Sequence, residues 1–293
     1  MREVKDLVKK YGSHLAVDHL SFTLESGKIY GFLGPNGAGK STTMNIMTGY
    51  LGATQGSVLI DGHDILKEPE EAKKHIGYLP ELPPLYMDMT VQEYLEFAAE
   101  LKKLPKEKRE SDISEVMKLT RLQDVSDRLI KNLSKGYKQR VGLAQAILGF
   151  PEIIILDEPT VGLDPKQIIE IRELIRTLSK KHTVILSSHI LAEVREVCDY
   201  ILIISKGKLV ASDTPENLEL LRNGASSLEL EVKAAPETAR AILSTIDDID
   251  AMEMHSENEN LTRVKLETKN GADIREAIFY AFAEEKCPLL EMK

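Results

Sequence analysis

The chain has 293 residues, of which 42% are hydrophobic, enough to build one large domain or two around a substantial core. Its 38 basic and 47 acidic residues give a net charge of -9, which argues against a protein that coats nucleic acid through nonspecific phosphate contacts. No run of about 18 apolar residues occurs, so the chain is not expected to span a bilayer by itself, and two cysteines outside any C-x-x-C pair behind a start with no apolar signal core point to a reducing compartment.

In chain order, short apolar runs over Leu15 to Val17, Leu20 to Leu24 and Ile29 to Leu33, broken by Gly12 and Gly27, predict an antiparallel strand set over residues 2–33. The last run leads into Gly34-Pro35-Asn36-Gly37-Ala38-Gly39-Lys40-Ser41-Thr42 and then a helix to Thr48 that Gly49 can end. Strand, glycine loop and helix in G-x-x-x-x-G-K-S spacing make a phosphate cradle. Backbone N–H groups turn inward, the helix points its positive end at the anion, Lys40 adds a full charge, and Ser41 is placed to ligate Mg2+. At roughly 7% glycine, a chance match is on the order of one in a hundred for a chain of this length.

Next come strands at Gly56 to Ile60 and Ile76 to Leu79, then a loop from Pro80 to Met89 with three prolines. Thr90-Val91-Gln92-Glu93 reads as a capping box, and a helical pattern runs from Thr90 to Phe150. Within it, Leu133-Ser134-Lys135-Gly136-Tyr137 opens a further helix. Ile153 to Leu156 is an unbroken apolar strand ending in Asp157-Glu158, and Asp164-Pro165 caps the next helix. Strands at Val184 to Leu186 and Ile201 to Ile204 follow, the first delivering Ser187-Ser188-His189. This alternation predicts an α/β sheet over residues 1–222, with a helical insertion at about 90–150. From 223 the rhythm changes: two alternating strands and two helices predict a small α+β accessory domain to residue 293, with no catalytic constellation.

Phosphoryl hydrolysis needs the γ-phosphate held, its charge neutralised and a water aligned opposite the leaving oxygen. Lys40 and the loop from Gly34 serve the first task. Asp157 can reach Mg2+, and Glu158 is placed to polarise the water. His14, His19, His63, His75, His182 and His255 lack metal-ligand spacing.

In these motifs the chain resembles the ATP-binding subunits of ABC transporters over about residues 2–220. Gly34 to Thr42 matches Walker A, Leu133 to Tyr137 the signature, Ile153 to Glu158 Walker B, Gly162 to Asp164 the D-loop and His189 the switch histidine. Tyr11 matches the aromatic that stacks on adenine. The resemblance implies a P-loop NTPase of the ABC ATPase type: mixed sheet, antiparallel β subdomain, helical insertion and the extra α+β domain. It also implies ATP and Mg2+ as cofactors, with Lys40, Glu158 and His189 in catalysis and Ser41, Asp157 and Glu81 toward the metal. Two copies, or one copy and a paired ABC ATPase subunit, would close head to tail, with Ser134, Gly136 and Asp164 reaching the partner's nucleotide. A separate membrane permease would carry the substrate, and the chain would lie on the inner, cytoplasmic face of the membrane. No nucleic-acid partner is expected; the alternative of a soluble ABC-type ATPase acting on nucleic acid or ribosomes usually requires two ATPase units or a long coiled-coil insertion. Two motifs depart from the common pattern: the signature, at Lys135 and Tyr137, and the position of Glu81, where the family usually has glutamine. Together with the extra domain they resemble the ABC-2 type export branch.

Overall fold

The structure is a computed structural model that describes residues 2–223, 227–258, 261–269 and 272–293. The chain forms two compact units that meet between Pro215 and Glu216. The loop expected at Gly224 to Ser226 lies outside the described residues.

The first unit begins with a hairpin, β1 (Arg2–Tyr11) and β2 (His14–Leu24), whose sheet continues through β4 (Gln55–Ile60) and β5 (His63–Asp64) in the order β2-β1-β4-β5. All three pairings are antiparallel. The single antiparallel set expected over residues 2–33 is thus divided. β3 (Ile29–Leu33) leaves that sheet and pairs in parallel with β8 (Thr183–Ser188) and β9 (Tyr200–Ser205). Burial explains the division: four of the five β3 residues are fully buried, whereas β1 mixes buried and exposed positions as a sheet with a wet face does.

The central sheet adds β7 (Ile153–Leu156), β6 (Ile76–Leu79) and an edge strand β10 (Lys208–Asp213), in the order β10-β9-β3-β8-β7-β6. Only β10 runs antiparallel. β7 is buried at every position, and each such aliphatic side chain contributes about 1.5–3 kcal/mol by leaving water. The sequence expects neither β10 nor the short helices α2 (Pro69–Lys74) and α7 (Leu191–Val197), because each has too few residues for a period to emerge.

Helix α1 (Lys40–Met47) follows β3 and starts two residues earlier than the periodicity suggests. The helical insertion consists of α3 (Val91–Leu101), α4 (Lys106–Leu119) and α5 (Lys135–Ile147) with short 3-10 turns between. The expected capping box opens α3: Thr90 Oγ1 accepts the Glu93 N–H at 3.2 Å, and Glu93 Oε2 accepts the Thr90 N–H at 2.8 Å. Such a cap is worth about 1 kcal/mol. Helix α6 (Pro165–Ser179) buries Ile171, Ile175 and Leu178, and α8 (Pro215–Asn223) follows β10.

The second unit takes in α8 from Glu216 on and then runs β11 (Ser227–Val232), α9 (Pro236–Leu243), β12 (Ile249–Asn258), β13 (Leu261–Thr268), α10 (Arg275–Glu284) and β14 (Leu289–Met292). Its sheet order β12-β13-β11-β14 is fully antiparallel, the ferredoxin-like arrangement of two interlocked βαβ units. Leu230, Val232, Val264 and Leu266 face a core closed by Leu243, Ile278 and Phe282. Across strands, Glu229 stands opposite Lys265 and Glu231 opposite Arg263. The sequence shows β11 and β13 by their alternation but not β12 and β14.

Candidate nucleotide site

Four neighbouring parallel strands, β3, β8, β7 and β6, end on the same side of the sheet, so the segments that follow them converge. They are the glycine loop after Leu33, Ser188-His189, Asp157-Glu158 and Pro80-Glu81. A crevice outside the carboxyl ends of parallel strands is where open α/β sheets bind ligands.

The glycine loop is built around Lys40. Its Nζ donates to the Gly34 carbonyl at 2.6 Å and to the Pro35 carbonyl at 3.2 Å, so the loop is wrapped about its own cation. Gly39 turns the chain into α1 at φ 104°, and a β-carbon there would lie 2.5 Å from the Ala16 carbonyl oxygen. Only glycine meets both conditions. The first turn of α1 holds no acidic residue, which leaves its positive end free for an anion.

Asp157 and Glu158 take different surroundings although they are adjacent. Asp157 Oδ1 accepts hydrogen bonds from Ser187 Oγ at 2.6 Å and Ser41 Oγ at 3.3 Å. Two hydroxyls therefore orient one carboxylate toward the start of α1. Glu158 has φ 47°, a left-handed conformation that costs a non-glycine residue about 1–3 kcal/mol. Its N–H is held by Ser187 Oγ at 2.9 Å, and the conformation turns its carboxylate to His189, whose Nδ1 lies 3.2 Å from both Oε1 and Oε2. Tyr78 donates to Asn45 Oδ1 at 3.1 Å; burial, then the nearby Asp157 charge, push its phenol up to about 12.

These groups open onto a cleft of about 430 Å³. Of the residues picked out in the sequence, Tyr11, the loop from Asn36 through Thr42, Glu81, Glu158 and His189 line it. Gly34 and Pro35 sit behind the loop as the acceptors for Lys40. Tyr11 is half exposed at the β1–β2 turn with Lys9 Nζ 5.1 Å from its ring centre. Three lining residues carry no sequence motif: His14 and Ala16 arrive through the register that pairs Tyr11 with His14, and Val161 follows Glu158. Ser187 is likewise missed, although its place two residues before His189 at the end of a buried strand is a signal.

Ser134, Gly136 and Asp164 do not line this cleft. Ser134 caps α5, its Oγ accepting the Tyr137 N–H at 3.4 Å, and Asp164 caps α6 by accepting the Gln167 N–H at 2.9 Å. The two helix starts pack together, since Gly136 backs onto the Gln167 side chain and Lys135 reaches Gly162. Arg140 of α5 ion-pairs with Glu170 of α6. The single chain thus carries two separate groups of predicted site residues.

Residues 17–161 match the ABC transporter family model. The chain is 40% identical over 248 residues to the uncharacterized ABC transporter ATP-binding protein YhcH of Bacillus subtilis (strain 168), covering 84% of this chain and 79% of that protein. It is 42% identical over 207 residues to the bacitracin transport ATP-binding protein BcrA of Bacillus licheniformis, covering 70% of this chain and 67% of that one. Among solved structures, the dimeric post-hydrolysis state of the ATP-binding cassette MJ0796 bound to ADP and Pi aligns with a TM-score of 0.67 and 26% identity, over 73% of this chain and 99% of that one. With a glycine loop around Lys40, the paired acids Asp157 and Glu158 and His189 at adjoining strand ends, and with relatives of this likeness, the chain belongs to the ABC transporter ATP-binding protein family and is an ATPase.

Proposed function

We propose that the chain works as an ATP-closed dimer that drives export through a separate membrane permease. The observation that carries this reading is the division of the site. Lys40, Ser41, Glu158 and His189 border one cleft, whereas Ser134 and Gly136 begin a helix whose start does not line that cleft. A second copy turned head to tail brings the two halves together, with ATP as the glue.

Within each half, Lys40 and the loop N–H groups hold the phosphates and Tyr11 stacks on the base. Ser41 Oγ and Asp157 Oδ1 form a pair of hard oxygen donors that fits Mg2+, and Glu81, which lines the same cleft, offers a further carboxylate. Bound there, the ion neutralises phosphate charge. Glu158 accepts the proton of the attacking water, and His189 fixes that carboxylate.

The permease partner rests on a second surface. An apolar cleft of about 510 Å³ lies between the proline-rich loop and α3, lined by Leu85, Tyr86, Phe97 and Leu101 among others. Tyr86 and Leu101 are both more than half exposed there. An exposed apolar cleft of this kind suits a segment of another protein. The name of BcrA, a bacitracin transport ATP-binding protein, supports a role in transport; the outward direction and a place on the cytoplasmic face of the membrane follow from the resemblance to the ABC-2 type export branch. The test is hydrolysis of ATP with Mg2+ by the purified chain, together with isolation from membranes. Copurification of an integral membrane protein is expected; loss of that copurification under mild detergent, with ATPase activity intact, overturns the permease reading.

A further inference from the structure

The two loops that carry Glu158 and His189 are joined at a point none of the motifs includes. Thr160, two residues after Glu158, donates its Oγ1 proton to Glu193 Oε2 at 2.8 Å. Ser188, immediately before His189, donates its Oγ proton to the same oxygen at 3.0 Å and accepts the Ile190 N–H at 3.1 Å. One carboxylate oxygen therefore gathers both loops from beneath. We propose that Glu193 is a positioning residue for ATP hydrolysis, holding the Glu158 carboxylate and the His189 imidazole in register. The proposal rests on the catalytic reading of Glu158 and His189.

Three features make Glu193 a fixed post. It lies in the first turn of α7, where the helix dipole favours a carboxylate. α7 is clamped onto the sheet: at Gly31 of β3 a β-carbon would come within 2.8 Å of Cys198 Sγ and 3.0 Å of Val194, so the helix approaches as closely as the missing side chain allows. The far end of α7 is tied to α6, because Arg172 ion-pairs with Glu196 and Arg176 donates to the Glu196 carbonyl oxygen. Glu158 above it sits in an unfavourable left-handed conformation that its surroundings must maintain. Thr160 and Ser188 are nearly sealed from solvent, which strengthens hydrogen bonds to a charged acceptor.

The requirement is for an oxygen acceptor shared by two hydroxyls, and this separates the proposal from a general need for the residue. Glu193→Gln keeps an acceptor oxygen; Glu193→Ala removes it. Steady-state ATPase assays with Mg2+ and ATP should show kcat falling by about 10- to 100-fold in Glu193→Ala, the scale on which misplaced catalytic groups act, with KM moving less than about threefold. Glu193→Gln should stay within about fivefold of the unaltered chain, and adding Thr160→Val to Glu193→Ala should cause little further loss, because both break the same contact. A second pair that leaves α7 whole, Thr160→Val with Ser188→Ala, should reproduce the fall in kcat even where Glu193→Ala folds poorly. A kcat within twofold of the unaltered chain in that pair, or equal losses in Glu193→Gln and Glu193→Ala, overturns the proposal. Glu158→Gln and His189→Ala are assayed beside them. If both retain full turnover, the catalytic reading fails; if they lose it while the Glu193 variants do not, only the positioning role fails.

Discussion

His189 Nδ1 stands 3.2 Å from both carboxylate oxygens of Glu158, across the gap between two adjacent parallel strands. The contact fixes the rotation of a carboxylate whose backbone is already constrained at φ 47°. On the proposed reading of Glu158 as the base, a carboxylate held in this way reaches its water without searching rotamers, which is what in-line attack requires.

Glu158→Gln removes the proton acceptor and keeps the shape. ATP binding should persist while turnover falls by at least about 100-fold, consistent with loss of general-base catalysis. On the proposed cycle the nucleotide then stays between two chains, so sedimentation with ATP should show a dimer and sedimentation with ADP a monomer. A monomer under both conditions would exclude ATP-closed pairing.

Lys40→Ala acts one step earlier. Nζ closes the loop onto the Gly34 and Pro35 carbonyls, so on the proposed reading the variant loses both a phosphate contact and the brace that shapes the cradle. Nucleotide affinity should fall by at least about tenfold, the value of one lost charge-assisted contact of 1.4 kcal/mol or more. Equilibrium binding of a fluorescent ATP analogue measures it. Unchanged affinity and near-normal hydrolysis would remove Lys40 from the site.

Glycine spacing, the unbroken apolar run before Asp157 and the cap residues Thr90, Ser134 and Asp164 were all legible in the sequence, because each is a local device read within a few positions. The central sheet was legible as a pattern of strands, but not the departure of β3 from the hairpin beside it. Pairing depends on which faces are buried, and five residues cannot announce their neighbours. Ser187, His14 and Glu193 were not legible for a related reason: each enters through strand register or a short helix, and serine, histidine and glutamate at such positions are usually solvated. The separation of Ser134 and Gly136 from Lys40 within one chain is likewise a fact of three dimensions.

Glu81 lines the cleft where a neutral amide is the family's usual residue. A carboxylate binds Mg2+ or its water well, and its extra charge beside the phosphates opposes their approach. The two effects offset. Glu81→Gln should therefore leave kcat within about tenfold, with the Mg2+ concentration for half-maximal activity shifted upward as one hard ligand is weakened. Titrating activity against Mg2+ at saturating ATP checks both. A complete loss of turnover would give the acid a specific catalytic duty.

Lys102 supplies a pH dependence that can be worked out from its surroundings. Its Nζ donates to the Ala146 and Leu148 carbonyls at 3.1 and 2.8 Å, at the C-terminal end of the helix that Ser134 begins. A cation suits that end of a helix, yet burial pulls its pKa from 10.5 down to about 8. The unfolded chain keeps the ordinary value, so between about pH 8 and 10.5 it binds more protons than the folded chain, and stability contributed by this residue rises with pH. Below pH 8 the folded state carries the whole cost of the buried charge, about 3 kcal/mol for a depression of this size. The neutral amine still has N–H groups for both carbonyls, so α5 remains capped as the charge is lost. Lys102→Met removes the titration. Urea unfolding of both chains at pH 7 and pH 10 should show the difference between them moving in favour of the unaltered chain by roughly 2–3 kcal/mol, since other groups titrate alike in both. A constant difference, or one that moves the other way, would mean that Lys102 is not held as a buried ammonium at pH 7.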